Sequence, residues 1–307
     1  MSTLISTSKG PGKPAGVKRF LPTMPPGGWS GLILISPPFF YSILMLAAPL
    51  LLVFLLSLWT QNYLDLDRTF TLANYREAVS EKLYQILMIR SLAISGVVTL
   101  VTVVLAYPIA YFVAFHGGKR KSMWLLLITI PFWTSYLIRV FLWKVILGYN
   151  GVVNGSLMGL GIIEEPLTFI LYNANAVVIT LAHAWAPFAI LPIFVSLSKI
   201  DKSLLEAARD LGDSAVRRFL RVTLPLSMPG VIAATLIVFI PTIGDYVTPR
   251  LLGGTNGLMI GNMIQIQFGK ANNAPLGSAL AVSAMIIVAS LSIAFVLLNR
   301  RYLRTKG

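Results

Sequence analysis

Two residues of opposite charge, Arg139 and Asp245, stand inside long apolar stretches of this chain. Ionisable side chains at membrane depth are costly in free energy, so they mark ion pairs or functional sites. Each lies fifteen residues from the inner end of its stretch, about 22 Å deep at a helical rise of 1.5 Å per residue. We therefore expect them to approach each other. Three arrangements fit Asp245: an ion pair with Arg139, a site on a translocation pathway that binds a cationic group, or a pairing with Arg250 at the outer interface.

Aromatic residues occur close to both charges or in a neighbouring apolar stretch. The four that are candidates for the pathway are Trp133, Tyr136, Trp185 and Tyr246. Packing, lipid contact and interfacial anchoring explain such residues in many membrane proteins. In the alternative interpretation, their π faces bind an organic cation. The sequence alone leaves both interpretations open.

The chain lacks the patterns of the common catalytic and metal sites. It has no cysteine and only two isolated histidines, so we predict no metal site. The run Gly117-Gly118-Lys119 does not match a phosphate-binding loop, and no hydrolase or metalloprotease motif occurs. The net charge of +14 does not indicate nucleic-acid binding, because the basic residues are scattered over short loops. We predict a non-enzymatic protein that binds no cofactor of its own.

Composition places these residues in a membrane protein. Hydrophobic residues make up 56% of the 307 and charged residues 12%, against about 25% charged in soluble domains. Apolar stretches long enough to span a bilayer predict an all-α polytopic protein with six transmembrane helices, at about 31–59, 91–115, 124–147, 174–196, 230–249 and 277–298. We expect a disordered cytoplasmic tail over 1–28, followed by a single transmembrane domain over 29–307.

The distribution of Lys and Arg predicts the orientation. With the amino terminus inside, 17 of the 25 basic residues lie in inner segments, 6 in outer segments and 2 within the third span. Positive charge is retained on the cytoplasmic side, so both termini are expected in the cytoplasm. In the outer segment 61–90, helical spacing and a possible cap at Asn74 predict an amphipathic helix at the membrane interface.

Prolines and glycines predict where the spans bend. Pro131 should kink the third span, and Pro187 and Pro192 the fourth. Pro241 and Gly244 predict a broken fifth span just before Asp245.

The cytoplasmic segment 199–228 has the local signals of a helix–turn–helix. Ser203 and Glu206 have the spacing of a capping box, and Gly212 can end the first helix in a left-handed conformation. A second short helix should begin at a cap provided by Asp213 or Ser214. Pro225 and Pro229 should stop that helix before the fifth span.

The same segment carries a longer pattern with fixed spacing. The pattern runs through Glu206, Ala207, Ala208, Gly212, Val222, Leu224 and Pro225. It resembles the loop through which the permease subunit of a binding-protein-dependent ABC importer docks on its ATPase. The resemblance implies a type I importer fold with a core at about 86–298. It also implies two ATP-binding cassette subunits that bind the ATP, a second permease that is related but different, and a periplasmic solute-binding protein. The location would be the bacterial inner membrane.

Further stretches between Phe70 and Arg304 narrow the resemblance. The segments 240–254 and 259–268 are similar to permeases of polyamine importers of the spermidine/putrescine type. Several members of that branch carry an acid where this chain has Arg250, so an opine, an amino-acid-like compound or another small solute is the alternative cargo. A secondary transporter without ATPases is a rival from another class, but it would need an internal repeat.

Overall fold

The computed structural model describes residues 28–63 and 65–303. The predicted disordered tail lies outside the described residues except for Gly28. The described chain divides between Leu50 and Leu51 into two compact units. In the first unit, the described residues are helical and strongly apolar.

Helices dominate both units, as predicted. Their bounds are α1 Gly28–Ser57, α2 Ala73–Ser80, α3 Lys82–His116, α4 Lys121–Thr129, α5 Tyr136–Ile146, α6 Val152–Gly159, α7 Ala174–Ser198, α8 Lys202–Asp210, α9 Ala215–Arg218, α10 Leu224–Ile243, α11 Val247–Leu252, α12 Ile260–Gly269, α13 Ala274–Leu298 and α14 Arg300–Leu303. Within the described ranges, five continuous helices are long and apolar enough to cross a membrane, and one bent pair raises the number to six. The predicted six spans are therefore present, but the third is bent.

The outer segment after α1 differs from the single amphipathic helix that the sequence predicted. A short antiparallel hairpin forms first, from β1 Thr60–Asn62 and β2 Asp65–Asp67. The short α2 follows, and the rest of the segment belongs to the 35-residue α3. Asn74 does not cap a helix, because its buried side chain donates to the carbonyl oxygens of Ser57 and Trp59, at 3.0 and 2.6 Å. Asn74 instead ties α2 to the carboxyl end of α1.

The third span is not one helix over 124–147. A 3-10 turn over Ile130–Trp133 follows α4, and α5 then leaves at 86°. Pro131 lies at the start of that turn, and Thr134 and Ser135 have extended ψ values of 149° and 135°. Proline lacks the N–H that a helix interior requires, so the predicted bend at Pro131 is found and is much sharper than a kink.

The fifth span breaks where Pro241 and Gly244 predicted. The helix α10 ends at Ile243, and α11 begins at Val247 after three non-helical residues. At its inner end, however, Pro225 and Pro229 do not stop the preceding helix. A π-helical turn over Phe219–Thr223 joins α9 to α10, giving one helical segment over Ala215–Ile243. A wider turn of this kind accommodates a position at which proline cannot donate.

The centre of the second unit is formed by α3, α7 and α10. Small and branched apolar residues fill it, including Val98, Ala110, Leu181, Ile193 and Val238. Near the inner end of α10, the hydroxyl groups of Tyr107 and Ser227 are 2.8 Å apart, and the Tyr107 ring contacts Phe219 edge to face. These contacts fix the start of the fifth span against α3.

Close helix contact at Gly230 gives the first prediction. A methyl group there would overlap the carbonyl oxygen of Pro192 and the side chain of Ser196, so α7 and α10 would have to separate. Gly230→Ala should lower the free energy of unfolding by about 1–3 kcal/mol, the usual effect of overpacking. Unfolding of the detergent-solubilised protein by heat measures this. Gly96→Ala in α3 is the matched control, since its added carbon meets nothing within 4 Å; equal melting temperatures for the two variants would contradict the prediction.

Candidate functional site

The first helix of the segment 199–228 begins at a different cap from the predicted one. Asp201 is the N-cap of α8, and its Oδ1 accepts the backbone N–H of Ser203 at 3.0 Å. This hydrogen bond lowers the pKa of the Asp201 carboxyl from its ordinary value, so the cap is ionised at neutral pH. The predicted capping box of Ser203 and Glu206 is therefore wrong, and the exposed Glu206 side chain remains available to another molecule.

The turn after α8 has the predicted left-handed residue. Gly212 has φ +84°, and its N–H donates to the carbonyl of Arg209 at 2.9 Å, while Asp213 N–H donates to Ala208 at 3.0 Å. This pair of bonds is the Schellman motif, which satisfies the last carbonyls of a helix. Ser214, one of the two predicted caps, accepts from the N–H of Arg217 and starts α9. The segment is thus a helix–turn–helix.

The six residues predicted to contact an ATPase divide into two groups. Glu206, Ala207 and Gly212 are exposed. The other three are Ala208, which is buried, and Leu224 and Pro225, which are half-buried at the start of α10. The first group is therefore the more accessible to another molecule.

Exposed apolar side chains on the loop were not among the predicted residues. Leu211 is 87% exposed and Val216 69% exposed, although the surrounding sequence is charged. Their signal in the sequence was weak, because leucine and valine beside a turn usually pack inward. Asp213, in the turn, lies 3.8 Å from Arg217 and 3.6 Å from Arg221.

Asp245 lies in the break between α10 and α11. Its Oδ2 accepts the hydroxyl of Tyr136 at 2.6 Å, and its Oδ1 accepts the backbone N–H of Val247 at 2.9 Å. The Tyr136 oxygen is also 2.7 Å from the Thr248 hydroxyl. No Lys, Arg or His nitrogen comes within 4.0 Å of Asp245 in residues 28–63 and 65–303. The predicted pairings with Arg139 and Arg250 are therefore both absent.

Arg139 is directed toward α7 and is only 7% exposed. Its guanidinium donates to the carbonyl oxygens of Thr134 at 3.1 Å and Ala184 at 3.4 Å, and it lies 5.8 Å from the centre of the Phe132 ring. Carbonyl dipoles, rather than a carboxylate, thus face this charge. Arg139 and Asp245 bond to different partners, and because the third span bends by 86° before Arg139, a residue count from Trp124 does not give the depth of Arg139.

The segment 259–268 packs against the break between α10 and α11. The Asn262 side chain donates to the carbonyl of Tyr246 at 2.8 Å and accepts the N–H of Met259 at 3.0 Å. A carbon added at Gly261 would lie 2.9 Å from the carbonyl oxygen of Gly244. The close packing of α12 against residues 244–246 therefore depends on a glycine and an amide, and neither residue was predicted as part of the site. A polar Asn within an apolar helix was the available signal.

A cavity of about 370 Å³ opens beside Tyr136, between the bend of the third span and α7. It is lined by Phe132, Thr134, Tyr136, Arg139, Ala184, Trp185 and Phe188. Three of the predicted pathway residues, Tyr136, Arg139 and Trp185, therefore meet at one place, and Tyr136 connects it to Asp245. Trp133 and Tyr246 are 82% and 43% exposed and lie outside this lining.

Residues 106–304 match the family described as "Binding-protein-dependent transport system inner membrane component". The spermidine/putrescine transport system permease protein PotB of Escherichia coli K12 is 39% identical over 219 residues, which cover 71% of this chain and 79% of that protein. The inner membrane ABC transporter permease protein YdcU of the same organism is 32% identical over 290 residues, covering 88% and 90%.

The fold is similar to that of a chain in the bacterial alginate ABC transporter, solved with a periplasmic protein bound to an alginate pentasaccharide. The TM-score is 0.69 at 16% identity, over 90% of this chain and 96% of the other. At that identity the likeness concerns the fold alone. It confirms the predicted all-α, type I ABC importer permease fold.

The packing behind the break gives the second prediction. Gly261→Ala should push α12 away from residues 244–246 and lower the free energy of unfolding by about 1–3 kcal/mol. Because the chain has no cysteine, a single Tyr246→Cys reports opening of the break through its rate of thiol labelling. We expect Gly261→Ala to raise that rate.

Gly269→Ala at the other end of α12 is the control, since its added carbon would meet only the Gln265 side chain, at 3.8 Å. Labelling rates that are the same in all three proteins would contradict the role of Gly261.

Proposed function

Because this chain belongs to the family of binding-protein-dependent transport system inner membrane components, we propose that it forms one half of the pore of an importer for small organic cations. The cargo is a polyamine such as spermidine or putrescine, the substrates in the name of the 39% identical relative. Uptake runs across the bacterial inner membrane and is driven by ATP hydrolysed on other subunits. Both termini lie in the cytoplasm, as the distribution of basic residues indicates.

The observation that carries the cation proposal is the carboxylate of Asp245. It lies half-buried in a broken span, and no basic nitrogen of the described residues is within 4.0 Å. Non-helical backbone at membrane depth occurs where it lines a cavity or is buried in protein. An ammonium group passing the break would find an unpaired anion there. Tyr246, which is 43% exposed next to it, offers a π face to the same cation.

The helix–turn–helix is the proposed contact with the ATPases. Two ATP-binding cassette subunits bind the ATP, and one of them contacts the exposed residues Glu206 and Ala207, with Leu211 as an apolar contact. A second permease, related but different, completes the pore, and a periplasmic solute-binding protein delivers the cargo. Closure of the ATPases would move the loop and shift the pore between outward and inward access.

Blocking the loop surface gives a prediction for this contact. Ala207 is exposed, so Ala207→Trp should leave the fold of the permease intact while its bulk clashes with a docked ATPase. We expect recovery of the ATPase subunit with the tagged permease to fall by at least about tenfold, which corresponds to 1.4 kcal/mol of binding energy. Quantified co-purification from detergent measures it.

The control for bulk alone is Ala271→Trp, at an exposed position between α12 and α13. It should retain the ATPase. Normal recovery with Ala207→Trp would exclude the Ala207 surface as the docking contact, whereas the absence of any ATPase from the wild-type preparation would favour a transporter that works without ATPases.

Neutralising the carboxylate gives a prediction for the cargo. Asp245→Asn keeps the size of the side chain but removes the charge that an ammonium would contact, and charge-assisted contacts contribute about 1.5–3 kcal/mol. Uptake of labelled spermidine should fall by at least about tenfold at unchanged abundance of the permease. Glu165→Gln, an exposed carboxylate elsewhere, should transport normally. Unchanged uptake in Asp245→Asn would exclude Asp245 from the pathway.

A second cargo class is favoured by one observation. Arg250 is exposed five residues after Asp245, and a cation there opposes a polycation while suiting a solute with a carboxylate. Opines and amino-acid-like compounds have both a cationic nitrogen and a carboxylate. Uptake of a labelled diamine, compared with uptake of a labelled amino acid of equal length, separates the two classes.

A further inference from the structure

Two side chains that line the cavity beside Tyr136 have buried hydrogen-bond donors without an acceptor in the described part of the chain. The Nε of Arg139 and the Nε1 of Trp185 are both buried, and neither has a hydrogen-bond partner among the residues that the structure describes. Both side chains line the same cavity of about 370 Å³. Buried donors are normally satisfied by protein or by a bound molecule, so an acceptor from outside the described residues is expected for each of them.

The charge in the cavity points to an anionic acceptor. Arg139 is 93% buried within a membrane span, and no carboxylate lies within 4.0 Å of it in the described parts of the chain. Two carbonyl oxygens accept hydrogen bonds from its Nη atoms, but carbonyl dipoles do not neutralise the net charge of the guanidinium. A guanidinium in this environment is usually paired with an anion. Asp245 is not this anion, because its carboxylate accepts hydrogen bonds from Tyr136 and Val247 instead.

The walls of the cavity suit a small anion. Phe132 and Phe188 pack edge to face with 4.7 Å between ring centres, and Trp185 lies 5.5 Å from Phe188. These rings give the cavity an apolar wall beside the buried guanidinium. The Thr134 hydroxyl is engaged with the carbonyl of Pro131.

We propose that this cavity binds one small anion, a single carboxylate group or a halide, which accepts from Arg139 Nε–H and Trp185 Nε1–H. The site is separate from the cation position at Asp245, and Tyr136 lies between them. Neutralising Arg139 removes a repulsive charge from the neighbourhood of Asp245, so anion binding should strengthen cation binding there, and the coupling is reciprocal. The anion is either free in solution or a carboxylate side chain of the second permease.

The test uses formate and bromide as probes on the full-length chain and on the assembled transporter. Each anion replaces a bulky sulfonate at constant ionic strength while thermal unfolding is followed. We expect a saturable rise in melting temperature for the wild-type chain. Trp185→Phe should weaken apparent anion affinity by about fivefold, the effect of one hydrogen bond, and Arg139→Met should abolish the rise.

The matched control is Trp143→Phe, because the Nε1 of Trp143 is already bonded to His183 at 3.1 Å and Trp143 does not line the cavity. It should bind the probes like the wild type. Trp185→Phe keeps the buried charge, so the test remains decisive where Arg139→Met fails to fold.

If anions stabilise both preparations, the occupant of the cavity is an anion that is free in solution. Stabilisation of the isolated chain that disappears in the assembled transporter assigns a carboxylate of the second permease. No saturable effect in either preparation, or identical affinities for Trp185→Phe and wild type, overturns the proposal. Spermidine uptake by the wild-type transporter is measured separately. Uptake without an anion effect refutes only the anion site, and an anion effect without uptake refutes only the proposed cargo.

Discussion

The hydrogen bond from Tyr136 to Asp245 joins the two places where the spans of this protein are interrupted. Tyr136 is the first residue of α5, and Asp245 lies just before α11. A backbone that leaves the helix at membrane depth exposes polar groups that lipid cannot satisfy, so two breaks that meet and exchange side-chain bonds stabilise each other. The Asp245 carboxylate receives the N–H of Val247, and Asn262 donates to the carbonyl of Tyr246.

This constraint explains why the charges are arranged as they are. The Tyr136 hydroxyl has the short contact to Asp245, while Arg139, one helical turn further, donates to carbonyls at the bend and on α7. Counting residues along the spans did not predict these partners, because the third span bends by 86° before Arg139 and a residue count does not give the direction of a side chain. The tyrosine was a candidate in the sequence, but its role as the donor to Asp245 depends on the 86° turn that precedes it.

Much of the fold could be predicted from the sequence because it depends on local chemistry. Apolar length located the spans, Pro241 and Gly244 located the fifth-span break, and Gly212 located the left-handed turn. The errors occurred where two local signals competed or where tertiary contacts decided. Asp201 capped α8 in place of Ser203, Asn74 bonded the end of α1 instead of capping α2, and a π-helical turn carried the chain past Pro225.

That π-helical turn has a mechanical consequence. The helical segment Ala215–Ile243 runs without interruption from the turn at Gly212 to the break at Asp245. At 1.5 Å per residue its 29 residues form a rod of about 43 Å. Tyr107 contacts this segment at Phe219 and Ser227, in the half that is nearer to Gly212. One continuous helix therefore connects the turn at Gly212 to the carboxylate-bearing break, so a displacement of the loop can be transmitted to Asp245 along a single element.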